Sequence, residues 1–192
     1  MKISHLILTA LCLSPLITSS LQAEDNLLRN GDFEKGGGET ITGWTFQTSH
    51  LPNDPAEREH IVWESFKEAS GNRCLRVAST APIDKLMVLW TQENKATAGS
   101  YHLKFRAKGN FKKEEGEWGA PDAGVYFKDA KGQWIGFVPV PGLVFASDWK
   151  EYQLDCSVPD NAAIIGVRFG LNCHGGVAEV LVDDVVLTGG AQ

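Results

Sequence analysis

Four carboxylates stand where strand-like patterning gives no reason for them. The opening run Asn26-Leu-Leu-Arg-Asn30-Gly31-Asp32-Phe33-Glu34 carries Asp32 and Glu34, and the closing run Val180-Leu-Val-Asp183-Asp184-Val-Val-Leu187 breaks an apolar stretch with two acids. Acids at both chain ends suit one oxygen-rich site where the ends meet. The plainer alternative is that they cap strand ends in water. Alternation lets only one of Asp183 and Asp184 face inward unless a bulge intervenes. We assign Asp184 to the inward position, where a buried carboxylate needs a strong partner.

The aromatic residues are the second chemical resource. Six tryptophans are many for 192 residues. Trp44, which follows Gly43, and Trp149, which precedes Tyr152, are assigned to the core, because sandwich aromatics more often pack than bind. Trp63, Trp90, Trp118 and Trp134 remain as candidates for stacking on a ligand. Trp90 and Gln92 lie two apart in one strand-like run and so share a face, a ring beside an amide. Trp118 falls in the polar stretch 109–121, where an exposed indole has no packing reason to be. Its bland alternative is a lid folded over a sheet edge.

Short strands must position these groups. Segments 74–78, 101–107, 124–128 and 165–171 alternate apolar and polar residues with a period of two. Turn signals separate them at 34–38, 52–55, 98–100, 129–132 and 159–161. Asp129 to Gly132 should close a hairpin onto 133–137. No convincing amphipathic helix exists; 55–66 comes nearest, and its Ile61-Val-Trp63 suits a strand better. The pattern predicts an all-β fold, a two-sheet antiparallel β-sandwich.

Composition bounds the setting. Residues 1–23 hold one formal charge, Lys2, then an apolar stretch and small residues, which reads as a secretory signal peptide. The remainder, 24–192, is expected to form one domain that is secreted or periplasmic, without membrane insertion. A formal charge of −6 argues against nucleic acid as the partner. Cys74, Cys156 and Cys173 remain after cleavage. Cys156 and Cys173 would be out of register in one hairpin and could bridge only from opposite sheets, so unpaired thiols are expected.

The runs 26–34, Gly43-Trp44, Leu75-Arg-Val77, 101–108, Trp149-Lys-Glu-Tyr152 and 182–187, in that order, resemble the jelly-roll carbohydrate-binding modules of families 4, 9 and 22, the cellulose- and xylan-binding, galactose-binding-domain-like type. The resemblance covers nearly all of the chain after the leader. It implies a sandwich of two sheets, a glycan held on a sheet face or loop rim, and a structural calcium near the termini. Asp32, Glu34, Asp183 and Asp184 are the carboxylates available to that Ca²⁺, which takes six to eight oxygens. Such modules usually accompany a catalytic domain. None is visible in this sequence, so a separate catalytic partner is the corresponding expectation.

Sugar recognition needs flat aromatic faces with amides and charged groups beside them. If Tyr101, Leu103, Phe105 and Ala107 enter the core, His102, Lys104, Arg106 and Lys108 line the opposite face. Tyr126 with Lys128, and Arg168 with Asn172, face outward by the same logic. Arg106, Arg168 and Asn172 would suit hydroxyl or uronate recognition if their strands share a sheet; a solvated polar face is the alternative. Catalysis has little support. Glu64, Glu117 and Asp122 are the only acids near aromatics, with nothing to fix their separation, and no nucleophile elbow, metalloprotease or phosphate-loop motif occurs. The expected function is non-catalytic binding of a polysaccharide or oligosaccharide. The alternatives are an adhesion or scaffold domain for protein or cell-envelope material and, more remotely, a small hydrolase or lyase.

Overall fold

The computed structural model describes residues 25–190; the leader expected at 1–23 lies outside the described residues. The strands are β1 (Gly36–Gly37), β2 (Thr40–Ile41), β3 (Thr45–His50), β4 (Ile61–Lys67), β5 (Arg73–Ser79), β6 (Leu86–Lys95), β7 (Ser100–Lys112), β8 (Trp118–Lys128), β9 (Trp134–Pro139), β10 (Lys150–Ser157), β11 (Ile164–His174) and β12 (Val177–Gly189). One helical turn, α1 (Pro55–Arg58), precedes β4; Asp54 caps it by accepting the Ala56 N–H, and Pro55 fits its first position. Among the described residues no helix is long and apolar enough to cross a membrane.

Two five-stranded antiparallel sheets form the sandwich. The first runs β10-β7-β12-β5-β4 and the second β3-β6-β11-β8-β9. Alternation decides their faces. In β7, Tyr101, Leu103, Phe105 and Ala107 are buried in the core, facing Val167, Phe169 and Leu171 of β11. Each fully buried aliphatic or aromatic side chain of this kind contributes roughly 1.5–3 kcal/mol. The expected hairpin is present as β8–β9, with a bulge between Phe127 and Lys128.

The edges and termini need their own devices. Phe46 of β3 and Trp63 of β4 stack at 4.7 Å and 20°, joining an edge strand of one sheet to an edge strand of the other. The N-terminal segment lies along β12: the Leu27 N–H donates to Leu187 O and the Val185 N–H to Gly31 O. Gly31 permits this approach, since a Cβ there would stand 2.0 Å from Val185 O. β12 carries a bulge between Asp183 and Val186, with Asp184 at φ 52°.

Two expectations are corrected here, and the expected unpaired thiols are found. Trp149 is only half-buried and lies outside the core, beneath the cations Arg106 and Lys108 at 5.3 and 4.8 Å from its ring. Asp183 and not Asp184 is the buried acid: Asp183 is 1% exposed and, opposite Arg106 in the β7 pairing, lies on that residue's side of the sheet, whereas at the bulge the Asp184 side chain is 55% exposed. Cys156 and Cys173 do lie in opposite sheets, the one arrangement that would have allowed a bridge, yet they and Cys74 are free thiols.

Candidate functional site

The outer faces of the two sheets differ in kind. On the first sheet, ion pairs lie side by side: Lys104–Glu151 at 2.9 Å, Lys108–Glu68 at 2.6 Å, Arg76–Glu179 at 2.7 Å and Arg76–Glu64 at 2.9 Å. Arg106 belongs to this face and is bound to Asp183 and Asp184 at 3.2 and 2.6 Å. It therefore lies on the opposite side of the sandwich from Arg168. The condition for the two to serve one recognition surface, strands in the same sheet, is not met.

The second sheet carries aromatic rings laid flat on its outer face. Glycines make this possible. A Cβ on Gly166 would stand 2.2 Å from Tyr126 Cζ, so the Tyr126 ring rests directly on the strand backbone. Phe137 covers Gly124 in the same manner. Trp134 then stacks on Tyr126, with ring centroids 5.0 Å apart and planes at 10°. Tyr126 is buried beneath it at 1% exposure, while Trp134 remains 53% exposed. Beside this stack the Arg168 guanidinium lies 3.6 Å from the Phe137 ring centroid.

The polar groups of this face are held as firmly. Asp122 accepts from Arg168 Nε at 2.8 Å and Nη2 at 2.9 Å, a bidentate pair on adjacent strands. Burial pushes the Asp122 carboxyl above its ordinary value, a rise that Arg168 opposes without cancelling. Glu93 of β6 accepts from the Tyr126 hydroxyl at 2.8 Å and pairs with Lys128. Burial acts to raise Glu93, but the hydrogen bonds from Lys128 and Tyr126 outweigh it and the net direction is downward. Glu93 also borders a polar cleft of about 420 Å³ lined by Thr45, Gln47, Thr91 and Asn94. On the other side of Arg168, Phe137, Pro139 and Leu143 line a smaller slot of about 180 Å³.

The expected site residues separate clearly. Tyr126, Trp134 and Arg168 come together on the second sheet. Asn172 is on the same face, opposite Ala120 and four residues along β11 from Arg168. Trp118 is 49% exposed and shares the face by strand parity, opposite His174 and at the far end of β8. Eight residues from Tyr126 at ~3.3 Å each place the two ends roughly 26 Å apart. Trp90 does not belong here: its indole is 2% exposed and part of the core. Gln92 uses both ends of its amide on the Arg29 backbone, accepting at 2.7 Å and donating at 2.9 Å, and so holds the N-terminal segment. Trp63 is committed to packing against Phe46. Phe137, Asp122 and Glu93 are the residues of this face that the sequence reading did not assign to binding.

The acids considered for glycosidic chemistry do not converge. Glu64 pairs with Arg76 on the first sheet, Glu117 accepts the Glu114 N–H in a turn, and both oxygens of Asp122 are taken by Arg168.

The carboxylates proposed for calcium are also engaged. Asp183 accepts from Asn72 Nδ2 at 2.7 Å, from Arg106 Nη2 and from the Asp184 N–H, and Glu34 accepts the Arg73 N–H at 2.8 Å. Asp184 faces Arg106, and Asp32 is exposed. Among the described residues no three His, Cys, Asp or Glu side chains are placed to share an ion. N–H donors already surround the buried carboxylate, so these residues as arranged do not fit a Ca²⁺ ion.

No protein family matches the sequence, and no curated relative matches it. Solved structures do match its fold. The enzymatically active domain of bacteriophage CBA120 tailspike protein 4 aligns over 85% of this chain with TM-score 0.61 and 16% identity, but the chain spans only 21% of that protein's length. A CBM4 structure aligns over 84% of this chain and 98% of its own with TM-score 0.52 and 14% identity. CBM61, solved with β-1,4-galactotriose, aligns over 85% of this chain and 97% of its own with TM-score 0.50 and 15% identity. The chain thus has the two-sheet β-sandwich fold of carbohydrate-binding modules.

Proposed function

We propose that this is a secreted, non-catalytic carbohydrate-binding domain that holds a glycan on the outer face of its second sheet. One observation carries the reading: Trp134 is half exposed yet fixed in orientation by the Tyr126 ring beneath it. An indole left in water and held flat is prepared to receive the apolar face of a pyranose, with little ordering left to do on binding. Arg168, oriented by Asp122, and the polar cleft beyond Glu93 supply hydrogen-bond partners for hydroxyls on either side. Trp118 at the far end of β8 suits an oligomeric ligand. The glycan bound by the structurally similar CBM61 is consistent with this class of ligand. The leader expected at 1–23 supplies the secreted setting.

An adhesion surface would call for a broad apolar patch. Among the described residues only Leu27, Trp118, Trp134 and Val144 are exposed large hydrophobic side chains, and two of these four are the tryptophans of the proposed face. The test is a fluorescence titration of the mature protein with soluble glucans, xylans, mannans, galactans and uronate-containing polymers. Saturable binding of one class, weakened about tenfold or more in Trp134→Ala, supports the reading. Binding that is unchanged in Trp134→Ala, or absent for every polymer, overturns it.

A further inference from the structure

Asp183 is a carboxylate buried in the middle of β12, next to the place where the chain's two ends are joined. In low dielectric such a charge persists only beside a compensating one. Arg106, its cross-strand neighbour on β7, supplies that charge: Nη2 meets Asp183 Oδ2 at 3.2 Å, and Nε meets Asp184 Oδ2 at 2.6 Å. Asn72 and the Asp184 N–H complete the set of donors to Asp183.

The join itself is made by Asn26. Its Nδ2 donates to Val185 O at 2.9 Å, and its Oδ1 accepts from the Leu187 N–H and the Leu28 N–H at 3.0 Å each. One side chain therefore fills two ladder positions on the edge of β12 that its pairing with β5, which ends at Val182, leaves open. Backbone bonds at Leu27 and Gly31 flank it on both sides.

We propose that the terminal clamp of this protein works without a metal, with the Arg106 guanidinium as its cation and the Asn26 carboxamide as its cross-link. These two groups perform the charge compensation and end-to-end fastening that the sequence resemblance assigns to calcium. The geometry explains the division of the two acids: Asp183 stands opposite Arg106 in the β7 pairing and is buried there, and the bulge that follows leaves Asp184 exposed beside it, so that one guanidinium meets both.

Thermal unfolding of the whole mature chain tests this, independently of any sugar. The expected result is the same melting temperature in EDTA and in millimolar calcium chloride, with no heat of binding when calcium is titrated into the EDTA-treated protein. Arg106→Ala and Asn26→Ala should each melt several degrees lower, whereas Arg106→Lys, which keeps the charge, should lose less. Arg106→Ala should also gain stability from calcium, because two neighbouring carboxylates then lack a cation. A wild-type melting temperature that falls in EDTA and recovers with calcium overturns the proposal, as does an Arg106→Ala protein that melts with the wild type. Should Arg106→Ala not fold, the wild-type comparison in EDTA and calcium still decides.

Discussion

Tyr126 lies between the Gly166 backbone and the Trp134 indole, parallel to that indole within 10° and hydrogen-bonded through its hydroxyl to Glu93. The buried tyrosine is thus a spacer, which sets the height and tilt of the exposed ring. Tyr126→Phe keeps the ring and loses the bond to Glu93. That bond involves a charged acceptor and is worth about 1.5–3 kcal/mol. The expected outcome is a less stable protein whose glycan affinity falls by only a few fold, read by denaturant melts and by the fluorescence titration together. Trp134→Ala should do the reverse, with a large loss of affinity and little change in stability, because the side chain removed is half exposed.

Trp90 offers the converse experiment. Its indole packs in the core against Phe46, at 5.8 Å between ring centroids, and its Nε1 has no partner among the described residues. Trp90→Ala should cost about 3–5 kcal/mol through the cavity it leaves. Trp90→Phe gives up volume but also removes an unsatisfied donor, so it should cost much less and leave glycan binding at the wild-type level. A loss of affinity in folded Trp90→Phe would return this residue to the binding surface.

The contrast between these tryptophans shows what period-two reading can and cannot resolve. In β7 the alternation of Tyr101, Leu103, Phe105 and Ala107 with charged residues fixed the inward face, as did Ile165, Val167, Phe169 and Leu171 in β11. β6 is different: six of the seven residues from Leu86 to Gln92 are buried, so apolar character marks both faces and Trp90 could not be assigned from pattern. Bulges defeated the rest. The choice of Asp184 as the inward acid rests on a buried carboxylate's need for a partner, whereas the bulge after Asp183 leaves Asp184 exposed and gives the core position to Val185. The Tyr126–Trp134 stack depends on a second bulge, at Phe127 and Lys128, that local sequence does not announce. Arg106 and Arg168 look alike in sequence; only strand order puts them on opposite sides.

Asp122 and Asp183 give the protein an unusual response to acid. Burial, the largest influence on both, raises them above the ordinary value of 3.8. A carboxyl whose folded value is raised binds its proton more tightly in the folded state, so its contribution to stability falls as pH rises through the window above 3.8. Glu93 behaves oppositely: its folded value is below 4.5, and it stabilises above that pH and loses its contribution on acidification. Urea melts at a series of pH values should show the advantage of wild type over Asp122→Asn greatest near the acid end and shrinking as pH rises through the carboxylate range. A difference that grows with pH would mean Arg168 dominates and the Asp122 value is depressed. The resolved carboxyl resonance of Asp122, titrated by NMR, provides the direct check.

Gly166 is where the backbone supports the proposed recognition face, and a single methyl tests the arrangement. A Cβ at this position would lie 2.2 Å from Cζ and 2.6 Å from both Cε atoms of Tyr126. The ring is buried and covered by Trp134, so it cannot swing away without lifting the indole from its place. Overpacking of this kind costs about 1–3 kcal/mol. Gly166→Ala should therefore remain folded but less stable, with glycan affinity reduced although no ligand-facing atom has been removed. Gly136→Ala is the control: it lies on the edge strand β9, beyond β8, and an added Cβ there meets nothing within 4 Å. Unchanged affinity in Gly166→Ala, alongside the expected loss of stability, would show that the tilt of Trp134 does not matter to binding and would leave only its exposed area in play.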